Sequence, residues 1–514
     1  MATYRSWAQS GVTQRANSTA YSLGDRMQPL FTDTSTNHAV AKRYVWECTT
    51  AGTSGASVPA WSASYTVDSS TITDGTVTWT CRAPGYSSGS TVDWSFASIY
   101  VHYTAPLMAD GDTLLVHYTS QEASNTASSL GLAPAADGCL IVSVDKDSSE
   151  AYTPMGTTNG YVGNSGSASF SVSLSPSGRE LRVRGLALRT NGSVAGQILV
   201  SGSDDGQLLA DDLVLLSTNG VASTVSIGNA ADVRSKTVIR GLTLHRGHVS
   251  SGLRIGGHVE IYGMTFAGSA VTTLMTTANV ADSTGANILI SGMDASTVVS
   301  SSATLVSDTA IVPARVVFAG CVLPSSYAVM SGAGNLNESG LEVLLTNCKA
   351  GSESGIHQYA NALGSMKTNT TITHDGESFS WKIDANSSAS RAAPFRTPWI
   401  WGQVDTGASI TPRFEILRND STSALTDAQV WCEQGAEVTA SSPIKTFDSS
   451  EAAYSSSGSN IATGAGLTAW AGESGTAWSG KVDCGAITPT GDELMMRLCV
   501  ATTTPVYLAQ RPYW

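Results

Sequence analysis

The segments Ile239-Arg-Gly241-Leu-Thr-Leu244 and Ile261-Tyr-Gly263-Met-Thr-Phe266 share one six-residue pattern, apolar-x-Gly-apolar-x-apolar. In each segment, two short arms of alternating apolar residues flank a residue that tolerates a positive φ. Such a unit is typical of two strand arms joined by a bend. One unit cannot bury its apolar face alone, so the pattern predicts neighbouring copies that stack on it.

The pattern recurs along the middle of the chain at intervals of 22 to 29 residues. A coil of three strands and three turns uses about 20–30 residues, which matches this interval. The bend position is occupied by Gly185, Asp212, Gly241, Gly263, Gly292, Gly320, Asn347 and, weakly, His374. We therefore predict a right-handed parallel β-helix, a β-solenoid, over residues 106–385, with the bend residues stacked in one column.

The composition agrees with an all-β fold and excludes several classes of function. Charged residues are only 13% of the 514 residues, about half of the usual ~25%. The net charge is −13 with 28 Lys and Arg residues, which argues against a nucleic-acid partner because phosphates need clustered positive charge. No apolar run is long enough for a signal peptide or a membrane helix, so we expect synthesis in a bacterial cytoplasm and no membrane insertion.

Two linker-like stretches divide the chain into three parts. Residues 82–90 and 385–390 are rich in Ser, Gly, Ala and Asn. They separate a Trp-rich β module at 1–90 and a β-sandwich at 395–514 from the predicted β-helix. Trp46, Trp61 and Trp79 of the module have two open interpretations: they are the core of a small domain, which we favour, or they are carbohydrate-binding platforms that stack on sugar rings.

Four segments of the N-terminal part resemble a small module of tailed-bacteriophage virion proteins. They are Asn17-Ser-Thr-Ala20-Tyr21-Ser-Leu-Gly24-Asp25, Tyr44-Val-Trp-Glu-Cys-Thr-Thr-Ala-Gly52-Thr-Ser54-Gly55, Val58-Pro59-Ala-Trp61 and Thr73-Asp74-Gly75-Thr-Val-Thr-Trp79. The C-terminal part is similar to the β-sandwich caps of such proteins, in Ser479-Gly480-Lys-Val-Asp483, Ile487-Thr-Pro489 and Pro505-Val-Tyr507. The β-helix resembles phage β-helix proteins by architecture alone.

The resemblance implies a structural component of the virion surface. A head decoration or head fibre is favoured slightly over a tail spike or tail fibre. The expected partners are further copies of the chain in a homotrimer, other virion proteins such as the major capsid or tail proteins, and a host surface glycan. Association of copies would cover a lateral face and the open end of the solenoid, which otherwise expose strand edges.

The alternatives are a polysaccharide-cleaving tail spike and a passive carbohydrate-binding adhesin. Hydrolysis of a glycosidic bond needs two carboxylates about 5–9.5 Å apart, and the densest acidic cluster contains Asp204, Asp205 and Asp211, with Asp212 at a bend position. We interpret these residues as turn residues first and as catalytic residues second. No phosphate loop, zinc motif or nucleophile elbow occurs, so we expect no cofactor and no metal, and a structural role more than an enzymatic one.

Overall fold

The structure is a computed structural model. It describes residues 3–6, 12–29, 33, 35–41, 44–66, 68–82, 110–123, 129–132, 137–145, 150–163, 171–174, 178–190, 197–200, 205–217, 224–228, 235–248, 252–277, 286–296, 299–308, 314–332, 341–361, 364–369, 380–385, 395–397, 400–403, 405, 407–409, 413–417, 429–434, 478–483, 493–501 and 506–509.

The described part of the chain is almost entirely β-strand, as the composition predicts; its one helix is His38–Ala41. The N-terminal strands are Thr3–Ser6, Val12–Gln14, Ala20–Tyr21, Arg26–Gln28, Val45–Thr50, Gly52–Thr53, Thr71–Asp74 and Val77–Arg82. The strands of the middle are Thr113–His117, Gln121–Ala123, Ser129–Leu132, Cys139–Val144, Tyr161–Gly163, Ser171–Leu174, Glu180–Arg184, Ala187–Thr190, Gln197–Val200, Gln207–Ser217, Thr224–Ile227, Lys236–Arg246, Gly252–Ile255, His258–Gly268, Val271–Thr277, Ala286–Asp294, Val299–Asp308, Ala314–Ala319, Val322–Leu323, Tyr327–Gly332 and Leu341–Ala350. The C-terminal strands are Glu353–Asn361, Gly364–Asn369, Ser380–Ala385, Phe395–Arg396, Ile400–Gln403, Arg413–Leu417, Gln429–Gln434, Trp478–Asp483, Glu493–Ala501 and Val506–Ala509. No described helix is long and apolar enough to cross a membrane.

Two compact units make up the chain. The first contains residues 1–305 and 321–327, and the second contains 306–320 and 328–514.

The bend residues of the first unit stack in one column, as predicted. The long strands Gln207–Ser217, Lys236–Arg246 and His258–Gly268 lie in parallel, and their register places Asp212 beside Gly241 and Gly241 beside Gly263. The same register continues to Gly185 on one side and Gly292 on the other. Gly185, Asp212, Gly241, Gly263 and Gly292 all have φ between 51° and 73°, the left-handed region that favours Gly, Asn and Asp.

The β-solenoid prediction is therefore confirmed. We call the sheet that carries the bends the bend sheet. Inward side chains on it form continuous ladders such as Leu213, Leu242, Met264 and Met293, each at most 1% exposed. A second parallel sheet faces the same interior with Ile198, Val225 and Leu253 among its buried residues. Each coil rests on the next through both backbone hydrogen bonds and apolar contact.

The N-terminal module has a sheet and an aromatic core of its own. Its five strands lie in the order 12–14, 26–28, 45–50, 77–82 and 71–74. Its core contains Tyr21, Met27, Ala41, Trp46, Cys48, Trp61, Ile72, Val77, Trp79 and Cys81. Val45 packs outside this core against Leu115, Val142 and Val144 of the bend sheet, so the module lies on the first coils of the solenoid.

The edge of the first coil is covered by the chain itself. The strand Thr3–Ser6 pairs in parallel with Thr113–Val116 at the start of the bend sheet. An uncovered edge would expose a row of unpaired backbone groups. Association between copies is the predicted cover for the open end of the solenoid; at this edge a strand of the same chain provides the cover instead.

The second unit changes from parallel to antiparallel pairing after residue 350. Ala314–Ala319 pairs in parallel with Leu341–Thr346, and Gly320 lies beside Asn347 with φ of 60° and 52°. Gly351, at φ 56°, then begins a turn that returns the chain beside its own strand. Glu353–Asn361, Gly364–Asn369 and Ser380–Ala385 follow as antiparallel strands. The range predicted for the β-helix, 106–385, thus ends in an antiparallel segment, and its last bend candidate, His374, lies outside the described residues.

The C-terminal part forms antiparallel sheets. One holds Phe395–Arg396, Ile400–Gln403, Gln429–Gln434 and Glu493–Ala501, and another continues from Ser380–Ala385 through Val506–Ala509. The rings of Tyr359 and Phe395 lie 6.1 Å apart, centroid to centroid. The predicted sandwich is a set of two packed sheets, and most of the side chains between them are outside the described part of the structure.

Truncation of inward residues should weaken the solenoid far more than truncation of an outward neighbour. Leu242 and Leu244 are 1% and 0% exposed, whereas Thr243 between them points outward. We expect Leu242→Ala and Leu244→Ala each to cost about 2–5 kcal/mol, and Thr243→Ala to cost less than about 0.5 kcal/mol. Unfolding rates under one fixed denaturing condition measure this, because unfolding of such folds is under kinetic control. Equal acceleration by all three substitutions would contradict the strand register.

Candidate functional site

The acidic residues proposed as a hydrolytic alternative do not come together in the described structure. Asp205 is an exposed turn residue at φ 67°, just before the strand that contains Asp211. The strand begins at Gln207, and the extended stretch from Gln207 to Asp211 alone spans about 13 Å, beyond the spacing of a glycosidase pair. Asp211 lies 3.6 Å from Arg240, carboxylate oxygen to guanidinium nitrogen. Asp204 lies outside the described residues.

Asp212 has a structural role at its bend. Its carboxylate accepts a hydrogen bond from the Tyr152 hydroxyl, and the Arg184 guanidinium lies 4.0 Å from the centre of the Tyr152 ring. Burial, followed by the nearby carboxylate, raises the pKa of Tyr152. The tyrosine is therefore a neutral donor at physiological pH, and Asp212 is held as its acceptor.

The three tryptophans proposed as sugar platforms are buried. Trp46 and Trp79 are 0% exposed and Trp61 is 5% exposed. Their indole nitrogens donate to Ala41 O at 3.2 Å, Asp74 Oδ2 at 3.3 Å and Asp33 Oδ2 at 2.8 Å, for Trp46, Trp79 and Trp61 respectively. A ring enclosed on both faces cannot stack on a sugar, so these positions correspond to the core interpretation.

A buried ion pair joins the segments of the N-terminal motif. Arg15 and Asp74 are 0% and 1% exposed, and the guanidinium makes two hydrogen bonds of 2.7 Å to the carboxylate. The same carboxylate accepts from Gly55 N at 2.9 Å, and Arg15 also donates to the carbonyl of Ser57 at 2.7 Å. This bidentate geometry offsets the desolvation of both charges.

Gly75 of the motif is required by close backbone approach. It has φ 67°, and a Cβ atom there would lie 2.4 Å from the carbonyl oxygen of Thr53. Asp74 and Gly75 therefore have two linked functions. The Asp74 carboxylate binds Arg15, and the absence of a side chain at Gly75 allows the strand Gly52–Thr53 to pack closely against it.

A groove lies on the outer surface of the bend sheet and is the best candidate site. It has a volume of about 300 Å³ and is lined by Gln207, Leu209, Lys236, Val238, Arg240, Glu260 and Tyr262. These residues come from three consecutive long strands, at alternate positions before the bend. Because alternate residues of a strand share one face, the register of the coils brings them together.

The groove has an ionic centre and an aromatic wall. Lys236 Nζ lies 2.8 Å from Glu260 Oε1, and the Tyr262 hydroxyl donates to Glu260 Oε2 at 3.0 Å. The hydrogen bond from Lys236 contributes most to lowering the pKa of Glu260. Tyr262 is 39% exposed, an unusual exposure for a large apolar side chain in the described part of this chain.

This arrangement suits binding better than acid–base chemistry. Glu260 lines the groove and its lowered pKa keeps it ionised at neutral pH, while Asp211, at the edge of the same surface, pairs with Arg240 at 3.6 Å. A general acid needs the opposite, a raised pKa. An exposed ring, an aliphatic floor of Leu209 and Val238, and several fixed polar groups are the usual parts of a site for a neutral or polar ligand.

No sequence motif marks these groove residues, although the repeat could have located them. Outward positions one, three and five residues before each bend fall on the same surface. Reading the repeats in register places Tyr262 beside Arg240 and Glu260 beside Val238.

No family model matches the chain, and no curated protein matches it. Among solved structures, the crystal structure of the enzymatically active domain of tailspike protein 4 from bacteriophage CBA120 is similar at 12% identity and a TM-score of 0.22, over 96% of this chain and 75% of that chain. A likeness at this level carries no conclusion about fold or activity.

Removal of the charge on Asp74 should unfold the module selectively. Asp74→Asn leaves the buried Arg15 cation without its partner, which typically costs about 3–5 kcal/mol. The matched control is Asp68→Asn, because Asp68 pairs with Arg82 at 2.8 Å with a 69% exposed side chain; an exposed pair contributes at most about 1 kcal/mol. Hydrogen–deuterium exchange of peptides from residues 44–82, compared with peptides from 236–268, resolves the two regions. Unchanged exchange in the module of the Asp74 variant would contradict the structural role of this ion pair.

Proposed function

We propose that this chain is a structural surface component of a tailed-bacteriophage particle. The observation that carries the proposal is the meeting of the motif segments around Asp74. The sequence resemblance rests on segments spread over residues 17–79, and the Asp74 carboxylate accepts hydrogen bonds from Trp79 of its own segment and from Gly55 of a second segment. If the resemblance were accidental, the matched residues would have no reason to form one hydrogen-bond network.

The module serves as the anchor and the solenoid as the projecting body in this proposal. The module lies on the first coils through Val45, Leu115 and Val142. Parallel coils in register, each held by its two neighbours, make a stiff body that suits a protein exposed on a particle. Within this role we favour a head decoration or head fibre slightly over a tail spike or tail fibre, because the groove carboxylate Glu260 is held ionised by Lys236 and the neighbouring Asp211 is paired with Arg240, so neither is arranged as a general acid.

The proposed partners are copies of the chain and the proteins of the particle. A homotrimer would cover a lateral face of the solenoid, and the major capsid or tail proteins would receive the module. The charge-poor composition supports such association, since only 13% of residues are charged. Extended surfaces with few charges favour burial between copies.

A second candidate function, passive adhesion to a host glycan, is favoured by the groove. Sugars present apolar ring faces and many hydroxyl groups. Tyr262 offers an aromatic face, and Gln207, Arg240 and Lys236 offer donors on the same surface. This function is compatible with a structural role and differs from hydrolysis in leaving the glycan intact.

Cryo-electron microscopy of the phage particles that carry this chain tests the main proposal. We expect three copies around a local axis at the particle surface, with the module toward the particle and the solenoid outward. A particle carrying Asp74→Asn should lose the density of this chain, and one carrying Asp68→Asn should retain it. Absence of the chain from purified particles would overturn the proposal, and a monomer at the particle surface would overturn its trimeric part.

Tyr262→Ala tests the adhesion function. With labelled host surface polysaccharide and the purified full-length chain, we expect the substitution to weaken binding roughly fivefold, since lost ring contact is worth about 1 kcal/mol. Thr265→Ala on the same strand is the control, because Thr265 is exposed beyond the bend and outside the groove. Equal binding by the Tyr262 variant would contradict adhesion at this groove. Release of new reducing ends from the polysaccharide would show that the chain hydrolyses the glycan, and it would contradict passive adhesion.

A further inference from the structure

The segment 156–160 is a bend between two anchored points of the first coils. Before it, Met155 N donates to the carbonyl of Gly185 at 2.8 Å, and after it Tyr161 N donates to the carbonyl of Ser120 at 2.8 Å. Within the described part of the chain, the five backbone amides of the bend donate no hydrogen bond. The bend can therefore move at a small cost in free energy while both of its ends stay in place.

The bend ends in an Asn-Gly pair. Thr157, Thr158 and Asn159 are exposed to solvent, and the Thr158 hydroxyl donates to Asn159 Oδ1 at 3.2 Å. The side-chain nitrogen of Asn159 makes no hydrogen bond to any described residue. Gly160, which follows it, has no side chain that would hinder an approach of the asparagine side chain to the next peptide nitrogen.

These contacts favour attack of the Gly160 nitrogen on the side chain of Asn159. No described acceptor holds the Gly160 N–H, so its nitrogen is available, and the Thr158 hydroxyl draws electron density from Asn159 Cγ through Oδ1. A bond from Gly160 N to Asn159 Cγ closes a five-membered succinimide. The bond from Cγ to Nδ2 breaks, and ammonia leaves with the proton of the Gly160 amide. Water then opens the ring at either carbonyl, which gives aspartate or isoaspartate.

We propose that Asn159 is a site of spontaneous deamidation and isomerisation that loosens the first coils as the protein ages. Isoaspartate places one additional carbon in the main chain directly before Gly160. Gly160 has no room to shift, because a Cβ atom there would overlap the carbonyl oxygen of Tyr118. The longer backbone therefore displaces the start of the strand Tyr161–Gly163, whose first ring lies 4.4 Å from the guanidinium carbon of Arg189.

Peptide mass spectrometry of the full-length chain tests the site directly. The folded chain and the chain unfolded in guanidinium chloride are incubated in neutral buffer, and fragmentation separates Asn159 from the Asn-Gly pairs at 191 and 219. We expect the folded chain to convert Asn159 at a rate within about threefold of the unfolded chain, because the bend opens at little cost. Conversion confined to the unfolded chain would overturn the proposal. Thr158→Val should slow conversion in the folded chain alone, and an unchanged rate would remove the role of the Thr158 hydroxyl.

The unfolding rate tests the effect on the coils, with a matched control. Asn159→Gln lengthens the side chain, so the five-membered ring cannot close, and it leaves the other Asn-Gly pairs in place. Under one fixed denaturing condition, we expect the aged wild-type chain to unfold faster than the fresh chain. The aged Asn159→Gln variant should unfold at the rate of the fresh variant. Equal acceleration of both chains on ageing would show that the damage lies elsewhere and would overturn the effect assigned to Asn159.

Discussion

A left-handed bend in the middle of each long strand is the constraint on which the solenoid depends. At this point the chain turns without leaving the sheet. Inward residues lie on both sides of the bend, as Ile239 and Leu242 do on either side of Gly241. Because Asp212, Gly241 and Gly263 stack beside one another, every inward residue before the bend meets an inward residue of the next coil. A β-branched or bulky residue at these positions would face the cost of a positive φ. One misplaced bend would shift the inward set of that strand to the outer face.

The chain handles buried charge in two different ways. In the module, Arg15 and Asp74 enclose each other with bidentate hydrogen bonds and are further satisfied by Gly55 and Ser57. In the solenoid, Arg246 donates to the carbonyl of Leu274 and lies beside the Phe266 ring, and no carboxylate among the described residues pairs with it. The first arrangement matches both charges within the module, beside its aromatic core.

The sequence predicted the solenoid because its signal is local and repeated. Seven positions with Gly, Asp or Asn between apolar pairs are enough to place the bends, and the inward burial of Leu242 and Leu244 follows from alternation alone. The groove is different, since Gln207, Arg240 and Tyr262 have no shared motif and meet only through the register of separate coils. The sequence does not predict the return of the chain after Ala350, because Gly351 fits a bend, a turn or a strand end equally well. The N-terminal tryptophans allowed two interpretations, as the same residue type forms small cores and sugar platforms.

The alternation of inward and outward residues also separates stability from recognition. On the strand Lys236–Arg246, Ile239 and Leu242 face the interior while Lys236 and Arg240 face solvent. A substitution at an outward position changes the groove without opening a cavity in the core, so the cost of altering the ligand is small. Each coil contributes one short row of outward side chains. Neighbouring rows lie about 4.8 Å apart and together form one surface. A β-solenoid can therefore acquire a new binding surface by exchanging a few outward residues on two or three coils, while its bend column and its apolar ladders stay unchanged.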